Sequence, residues 1–291
     1  MKRIAVALGL ACCGSTWAQI PDIRVRLDAT ISYIMQPHTT PLVNFYDVMG
    51  RPSILGLSFF TDQGFRVNVT EKLQHIPGDA GNDLFDEYYI EDENIWRVGK
   101  QYLPFGGGHV LHESAVAVRG DTNLIVEGLP VTMAFCDSGN GLDYGLIGRL
   151  GSTVGVSAAV GRNFGTAGTS LTDVRRPEDA PGKGHGWKQV FGLDASKRFL
   201  GHWSLRAEAV SFRYGETSSD RDTAVLDVGL SLDPKRSEST TLAWSQIAPD
   251  HHNYWRLGGS YAMSRNVTFE PMIRFRGDSL FQVVAQVRIR I

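Results

Sequence analysis

Some short stretches of the chain contain residue types that could act as a nucleophile or a base. Gly277-Asp278-Ser279-Leu280 offers a serine, but a serine hydrolase also needs an acid and a histidine, with the serine at a strand-to-helix turn. Ser279 stands only twelve residues before the end of the chain, and no histidine follows it. The residues on both sides have the pattern of strands, so this stretch is interpreted as a hairpin turn.

Histidines mark two further stretches, His109-Val110-Leu111-His112-Glu113 and His251-His252. A metal site needs its ligands on a rigid element, whereas the first stretch follows a run of glycines and the second follows a proline and an aspartate. Both are predicted to be polar loops. The sequence thus predicts no metal and no cofactor. No histidine has a nearby serine and asparagine in the arrangement that barrel phospholipases use, so we do not expect an enzyme.

The elements that would position any site are long alternating strands. Residues 23–35 alternate apolar and polar side chains, and residues 281–291 repeat the pattern to the last residue. Alternate side chains of a strand point to opposite faces, so each segment has one apolar face and one polar face. The apolar face of the last segment is predicted to comprise Phe281, Val283, Ala285, Val287, Ile289 and Ile291. Thirteen residues exceed the usual strand of about 5–6 residues in soluble proteins.

The N-terminus reads as a signal peptide. A basic start, a short apolar run and Thr16-Trp17-Ala18 predict cleavage after Ala18, which leaves residues 19–291 as one domain. Leu10-Ala11-Cys12-Cys13 is an alternative lipoprotein processing site. After cleavage at Ala18, Cys136 remains alone, with no partner for a disulfide and no role that the sequence assigns. The chain carries 29 Lys+Arg and 31 Asp+Glu, a balance that gives no reason to expect nucleic acid as a partner.

The connections between alternating segments are short on one side and long on the other. This pattern, with about ten residues in each segment, is typical of a bacterial outer-membrane barrel. We predict an all-β, transmembrane, antiparallel up-and-down barrel of about 16 strands, with 12–14 possible because Gly128-Leu129-Pro130 interrupts the alternation. The predicted strands are 23–35, 53–61, 64–75, 83–91, 94–102, 112–119, 122–135, 141–150, 153–163, 186–196, 201–214, 222–232, 239–247, 253–263, 265–276 and 279–291.

A closed barrel must pair its last strand with its first, because no strand edge can remain unpaired in lipid. We therefore expect 281–291 to pair with 23–35, with both chain ends on the periplasmic side. The C-terminus resembles the signal that outer-membrane barrels present to their assembly machinery, although Ile291 replaces the usual Phe or Trp. Outer-membrane lipid and this machinery are the expected partners, together with small polar solutes and, as a possibility, further copies of the chain.

One further stretch, residues 96–108, reads WRVGKQYLPFGGG. It resembles the G-K-x-x-x-P-F-G segment of the phosphate-selective porin family, in which the segment leads from a strand into a loop. The resemblance implies a loop that enters the lumen, and its matching residues are Gly99, Lys100, Pro104, Phe105 and Gly106. No lysine-rich loop is present, so the resemblance does not imply selectivity for phosphate.

The inward faces predict a charged lumen. Lys72 and eleven arginines share the polar side of their strands with eight acids. Charged rings tune the ion selectivity of a pore, whereas salt bridges across the lumen would simply fill it, and both interpretations are open. We expect a porin-like channel in the outer membrane for small polar or anionic solutes; the alternatives are a barrel enzyme or adhesin, and a soluble periplasmic β-protein. The predicted pore-lining arginines are Arg24, Arg26, Arg66, Arg97, Arg149, Arg206, Arg256, Arg274, Arg276, Arg288 and Arg290.

Overall fold

The computed structural model describes a chain built from strands. Within the described residues, seventeen strands form one antiparallel sheet, and sixteen of them close into a barrel. The described part of the chain contains no helix that is long and apolar enough to cross a membrane. The described residues are 22–49, 51–61, 64–74, 84–92, 95–112, 114–122, 129–137, 144–162, 187–214, 222–235, 238–248 and 252–291. The predicted signal peptide, residues 1–18, lies outside them.

The strands follow one another around the barrel in chain order, apart from the three-residue β2, which pairs only with β1. Their bounds are β1 Asp22–Met35, β2 Leu42–Asn44, β3 Ile54–Phe60, β4 Phe65–Lys72, β5 Phe85–Asp92, β6 Trp96–Tyr102, β7 Ser114–Thr122, β8 Val131–Asp137, β9 Tyr144–Gly151, β10 Val154–Arg162, β11 Trp187–Phe199, β12 Trp203–Tyr214, β13 Thr223–Lys235, β14 Glu238–Ala248, β15 His252–Ala262, β16 Val267–Arg276 and β17 Ser279–Arg290.

The first and last strands close the barrel as the sequence predicts. β1 pairs antiparallel with β17 from Asp28 opposite Arg290 to Met35 opposite Val283. Leu27 and Ile291 extend the ladder by exchanging two backbone hydrogen bonds of 2.8 and 2.9 Å. This pairing joins the first and last barrel strands, which is the condition for a strand-built wall in lipid.

The sixteen predicted segments correspond to the sixteen barrel strands, so the predicted fold class is confirmed. Two differences are informative. The segment predicted at 122–135 contributes only Val131–Asp137 as β8, while residues 123–128 lie outside the described part. The region 36–53, predicted to be a loop, contains β2, which continues the wall beside β1 where β3 is too short to reach.

The two faces of the wall differ as the alternation predicts. Val25 and Leu193 are 64% and 60% exposed on the outer face, whereas Ser32 and Asp227 are buried on the inner face. Phe281, predicted to face outward, instead faces inward and is buried. The cause is a β-bulge: Arg274 pairs with Gln282 and Phe275 with Leu280, so Phe281 is the extra residue and the alternation shifts there.

The two ends of the barrel are built differently. One end, here called the turn end, carries the start of β1, the end of β17 and short connections such as 200–202 and 263–266. The other, the loop end, carries longer connections that include 36–53 and 103–113. Gly277-Asp278 forms the tight turn between β16 and β17, which confirms that Ser279 belongs to a hairpin.

Candidate functional site

A segment between β6 and β7 folds into the barrel and occupies part of its lumen. Phe105, Val110 and Leu111 in this lumen loop, defined as residues 103–112, are almost completely buried. The ring of Phe105 packs against Gly192 on β11, where a β-carbon would lie only 2.7 Å from the ring. The loop therefore reaches strands that are several positions away from the two strands that it joins.

Hydrogen bonds from the lumen loop to side chains of the wall fix its course. The backbone N–H of Gly106 donates to Ser157 Oγ on β10 at 2.9 Å. The N–H groups of His109 and Val110 donate to the Glu208 carboxylate on β12 at 2.9 and 3.3 Å. Gly106 has a φ of +52°, a backbone conformation that favours glycine. A β-carbon there would also collide with the Glu208 carboxylate, so the backbone and the contact both favour glycine.

Of the residues predicted to enter the lumen with this loop, Pro104, Phe105 and Gly106 belong to it, whereas Lys100 does not. Lys100 belongs to β6, where it lies opposite Tyr88 and Val116, whose side chains are exposed on the outer face. Its Nζ donates to the Phe85 carbonyl oxygen at 2.6 Å, so Lys100 does not enter the lumen with the loop. Pro104 is in the loop but only partly buried, because the chain turns inward at Phe105.

A second segment, residues 45–49 after β2, also folds into the barrel. Ser32 Oγ on β1 donates to the carbonyl oxygen of Tyr46 at 2.6 Å, and Gln286 Oε1 on β17 accepts from the Val48 N–H at 3.4 Å. Val48 and Met49 are buried against side chains of β1 and β17. Sequence reasoning missed this segment, although its apolar run within a polar loop could have revealed it.

The lumen near the lumen loop is lined by apolar side chains. Cys136 is one of these; it is buried as a small apolar residue with its Sγ 3.4 Å from the carbonyl oxygen of Gly145. The lumen loop contributes Phe105, Val110 and Leu111 to the same cluster. The wall contributes Ala117, Ala134, Cys136, Ile147, Ala159, Val190, Val210, Phe212, Val225, Ile247, Tyr254 and Phe281.

Charged side chains gather toward the turn end instead. All eleven predicted arginines lie on the side of their strands that faces inward. Arg256, Arg274 and Arg276 lie nearer the loop end, where Arg274 donates to Gln282 Oε1 at 2.9 Å and stacks on Phe281. The others form ion pairs near the turn end: Arg24–Asp22, Arg26–Asp28, Arg66–Glu91, Arg97–Glu91, Arg149–Asp194, Arg206–Asp227, Arg288–Asp28 and Arg290–Asp28.

The Asp28 carboxylate pairs with three arginines where the first and last strands meet. Asp28 accepts two hydrogen bonds from Arg288, at 2.7 and 2.8 Å, and lies 3.5 Å from Arg290 and 3.7 Å from Arg26. Arg24 pairs with Asp22 instead. The side chains of Arg26 and Arg290 remain 64% and 61% exposed, so their charges face the solvent at the turn end.

A further arginine belongs with this set and was missed by sequence reasoning. Arg119 on β7 faces inward and forms a bidentate pair with Asp121, at 2.9 and 3.1 Å. The alternation Ala115, Ala117, Arg119 gives the signal that could have identified it. Its neighbour in the register is Arg97 on β6, so two arginines occupy directly opposite positions on adjacent strands.

Two histidines of the lumen loop are held by other contacts. His109 is held through its backbone N–H, and the His112 ring stacks on Tyr102 with ring centres 4.0 Å apart. Glu113 and His251 lie outside the described residues. Within the described ranges, no three histidine, cysteine, aspartate or glutamate side chains are grouped closely enough to hold a metal ion.

Solved structures of outer-membrane proteins have a fold similar to that of this barrel. A loop-deletion variant of the outer membrane protein OmpT of Vibrio cholerae has a TM-score of 0.65 and 12% identity, over 94% of this chain and 100% of that chain. The outer membrane channel DcaP of Acinetobacter baumannii gives 0.62 and 11%, over 93% and 97% of the two chains. The fold is that of the outer-membrane porins.

An anion-selective porin from Comamonas acidovorans is equally similar to this porin-like barrel. It has a TM-score of 0.62 and 11% identity, over 93% of this chain and 100% of that chain. No protein-family model and no curated protein sequence matches the chain. At such low identity the likeness concerns the fold, so function has to be argued from the residues of this barrel.

Proposed function

We propose that this protein is an outer-membrane channel that lets small polar and anionic solutes diffuse passively, without catalysis and without a cofactor. The observation that carries this proposal is a sixteen-strand barrel with a loop hydrogen-bonded inside its lumen. A barrel of this strand number is wide enough for an aqueous passage. A loop that narrows it would exclude large solutes while leaving a charged wall in contact with small ones.

The charges of the inner wall favour anions. Nine arginines of the wall share six carboxylates, because Asp28 pairs with three of them and Glu91 with two. Some of the positive charge is therefore not neutralised by a carboxylate of its own. Because arginine keeps its charge at all physiological pH values, this excess would attract anions at any pH the cell surface meets.

Family, assembly and partners belong to the same proposal. The segment with Gly99, Lys100, Pro104, Phe105 and Gly106 supports kinship with the phosphate-selective porins, though not their selectivity. One neighbour, OmpT of Vibrio cholerae, is described in a trimer form, with a TM-score of 0.60 and 10% identity. We therefore include a homo-oligomer in the proposal, assembled by the barrel machinery and surrounded by outer-membrane lipid.

Liposome swelling tests the proposed function. Purified, folded barrel is reconstituted into liposomes that are then diluted into isotonic solutions of sugars of increasing size or of small carboxylate salts. The proposal predicts rapid swelling with the small solutes and a sharp decrease as the sugars become larger. Liposomes that stay as tight as protein-free controls, although the barrel in them is folded, would contradict it.

A further inference from the structure

The inner wall between β4 and β8 contains a cavity of about 610 Å³ at the turn end. Three arginines border it, each from a different strand: Arg66 on β4, Arg97 on β6 and Arg119 on β7. The carboxylates of Glu91 and Asp121 also line the cavity, and Asp92 borders it from the end of β5.

The three guanidinium groups share only two of these carboxylates. Arg66 and Arg97 both pair with Glu91, and the Arg97 Nε lies 2.6 Å from its carboxylate. Arg119 pairs with Asp121, which also accepts a hydrogen bond of 2.6 Å from Thr132 Oγ1. Three guanidinium groups carry about fifteen N–H donors, whereas the three carboxylates, with Asp92 included, offer about twelve acceptor sites, one of which Thr132 already uses. Arg66 also donates to the Tyr89 hydroxyl at 3.3 Å. Donors are therefore in excess around this cavity.

Two details show that the cluster is not satisfied by the protein alone. Arg97 and Arg119 stand directly opposite each other in the register, and like charges in that position destabilise a sheet. The buried Nε of Arg66 has no hydrogen-bond partner in the structure. An anion in the cavity would relieve the repulsion and accept hydrogen bonds from the N–H groups that face the cavity.

Tyr89 lies beside two of the three guanidinium groups. The Arg97 guanidinium lies 4.1 Å from the centre of the Tyr89 ring, and Arg66 lies 5.9 Å from the same ring. Arg97 and Arg119 meet Glu91 and Asp121 through Nε and one terminal nitrogen, so the fork left for another planar acceptor is the one between the two terminal nitrogens. A carboxylate matches that fork with two parallel hydrogen bonds.

We propose that Arg66, Arg97 and Arg119 form a binding station for small monocarboxylates on the path to the turn-end mouth. The inference rests on the proposed channel function and adds a substrate class. Glu91, Asp92 and Asp121 balance the formal charge of the three arginines, so the lining carries no net charge that would favour a divalent anion over a monovalent one.

The test uses propionate and the full-length protein in planar bilayers. Propionate is titrated against the chloride conductance at fixed ionic strength, and its concentration for half-maximal reduction of the current is measured. Arg119→Gln should raise that concentration by about tenfold or more, because a charge-assisted hydrogen-bonding partner is lost. Arg119→Lys keeps the charge but not the fork, so it should recover only a small part of the effect.

Arg206→Gln is the matched comparison, because Arg206 also faces inward but lies on β12, away from the cavity. Both glutamine variants remove one positive charge from the lumen and should lower the general preference for anions similarly. Only Arg119→Gln should shift the propionate titration. Equal shifts in the two variants would show that the lumen acts by overall charge and would overturn the binding station.

A binding measurement separates this inference from the proposed function. Trp96 lines the cavity, so propionate should change the tryptophan fluorescence of the detergent-solubilised barrel, and the change should disappear in Trp96→Phe. Propionate that saturates this signal in wild type but not in Arg119→Gln would support the station even if the protein failed to conduct. The absence of any saturable change would overturn the station even if the channel conducts.

Discussion

The contact between Phe105 and Gly192 decides where the lumen loop can lie. A β-carbon on Gly192 would come within 2.7 Å of the Phe105 ring, so Gly192→Val should force the ring away from β11 and displace the loop. We expect a larger and noisier single-channel conductance. The neighbouring Leu193→Val is the control, because Leu193 points outward and is 60% exposed. A conductance that is the same in both variants would show that the loop does not narrow the passage.

Removing arginines near Asp28 and removing the Asp28 carboxylate should change the anion-to-cation permeability ratio in opposite directions. Arg26→Gln with Arg290→Gln removes two exposed charges from the turn end and should lower the anion-to-cation permeability ratio. Asp28→Asn removes the carboxylate that these arginines share and should raise the ratio. Reversal potentials in a salt gradient measure both, and the effects should be largest at low salt, where screening is weak. Changes of the same sign in the two variants would contradict this arrangement.

The sequence predicts which face of the barrel wall a side chain lies on better than it predicts which groups that side chain pairs with. The alternation of a strand determines which arginines face inward, and all eleven predicted ones do. Phe281 breaks the pattern because a single bulge shifts the alternation, and nothing local in the sequence announces that bulge. The sharing of Asp28 by three arginines depends on how far β1 and β17 are staggered, which is a property of the closed barrel rather than of either strand.

At the level of the elements, arginine should impair assembly more at an outward-facing position of a strand than at the adjacent inward-facing position. Leu230 and Ser231 are neighbours on β13; Leu230 points outward, whereas Ser231 points inward and hydrogen-bonds Thr241. Arginine at a mid-membrane position of the outer face costs about 2–4 kcal/mol. Leu230→Arg should therefore impair assembly more than Ser231→Arg, as judged by the fraction of folded protein on an unheated gel. Equal yields would show that β13 is not surrounded by lipid.

The elements also differ in how predictable they are. Long strands were predictable because each must keep one apolar face over its whole length. The inward course of residues 45–49 and of the lumen loop was harder to predict, since it depends on partners far away in the chain, such as Gln286 for Val48 and Glu208 for His109. For the lumen loop, only the family resemblance of the glycine-rich segment gave a hint.

The whole molecule is expected in the outer membrane. The closed wall with an apolar outer face should keep the protein in the membrane fraction and resist extraction without detergent. The folded barrel should also migrate differently on a gel before and after heating. Recovery of the unheated protein in the soluble periplasmic fraction would contradict the proposed location and would favour a soluble β-protein.

Single-channel recording in a planar bilayer tests the central claim most directly. Purified wild-type protein should produce discrete, stable current steps. In a salt gradient their reversal potential should show a preference for anions, because three arginines share Asp28 and two share Glu91. A folded barrel that inserts without conducting, or conducts with a clear preference for cations, would contradict the account.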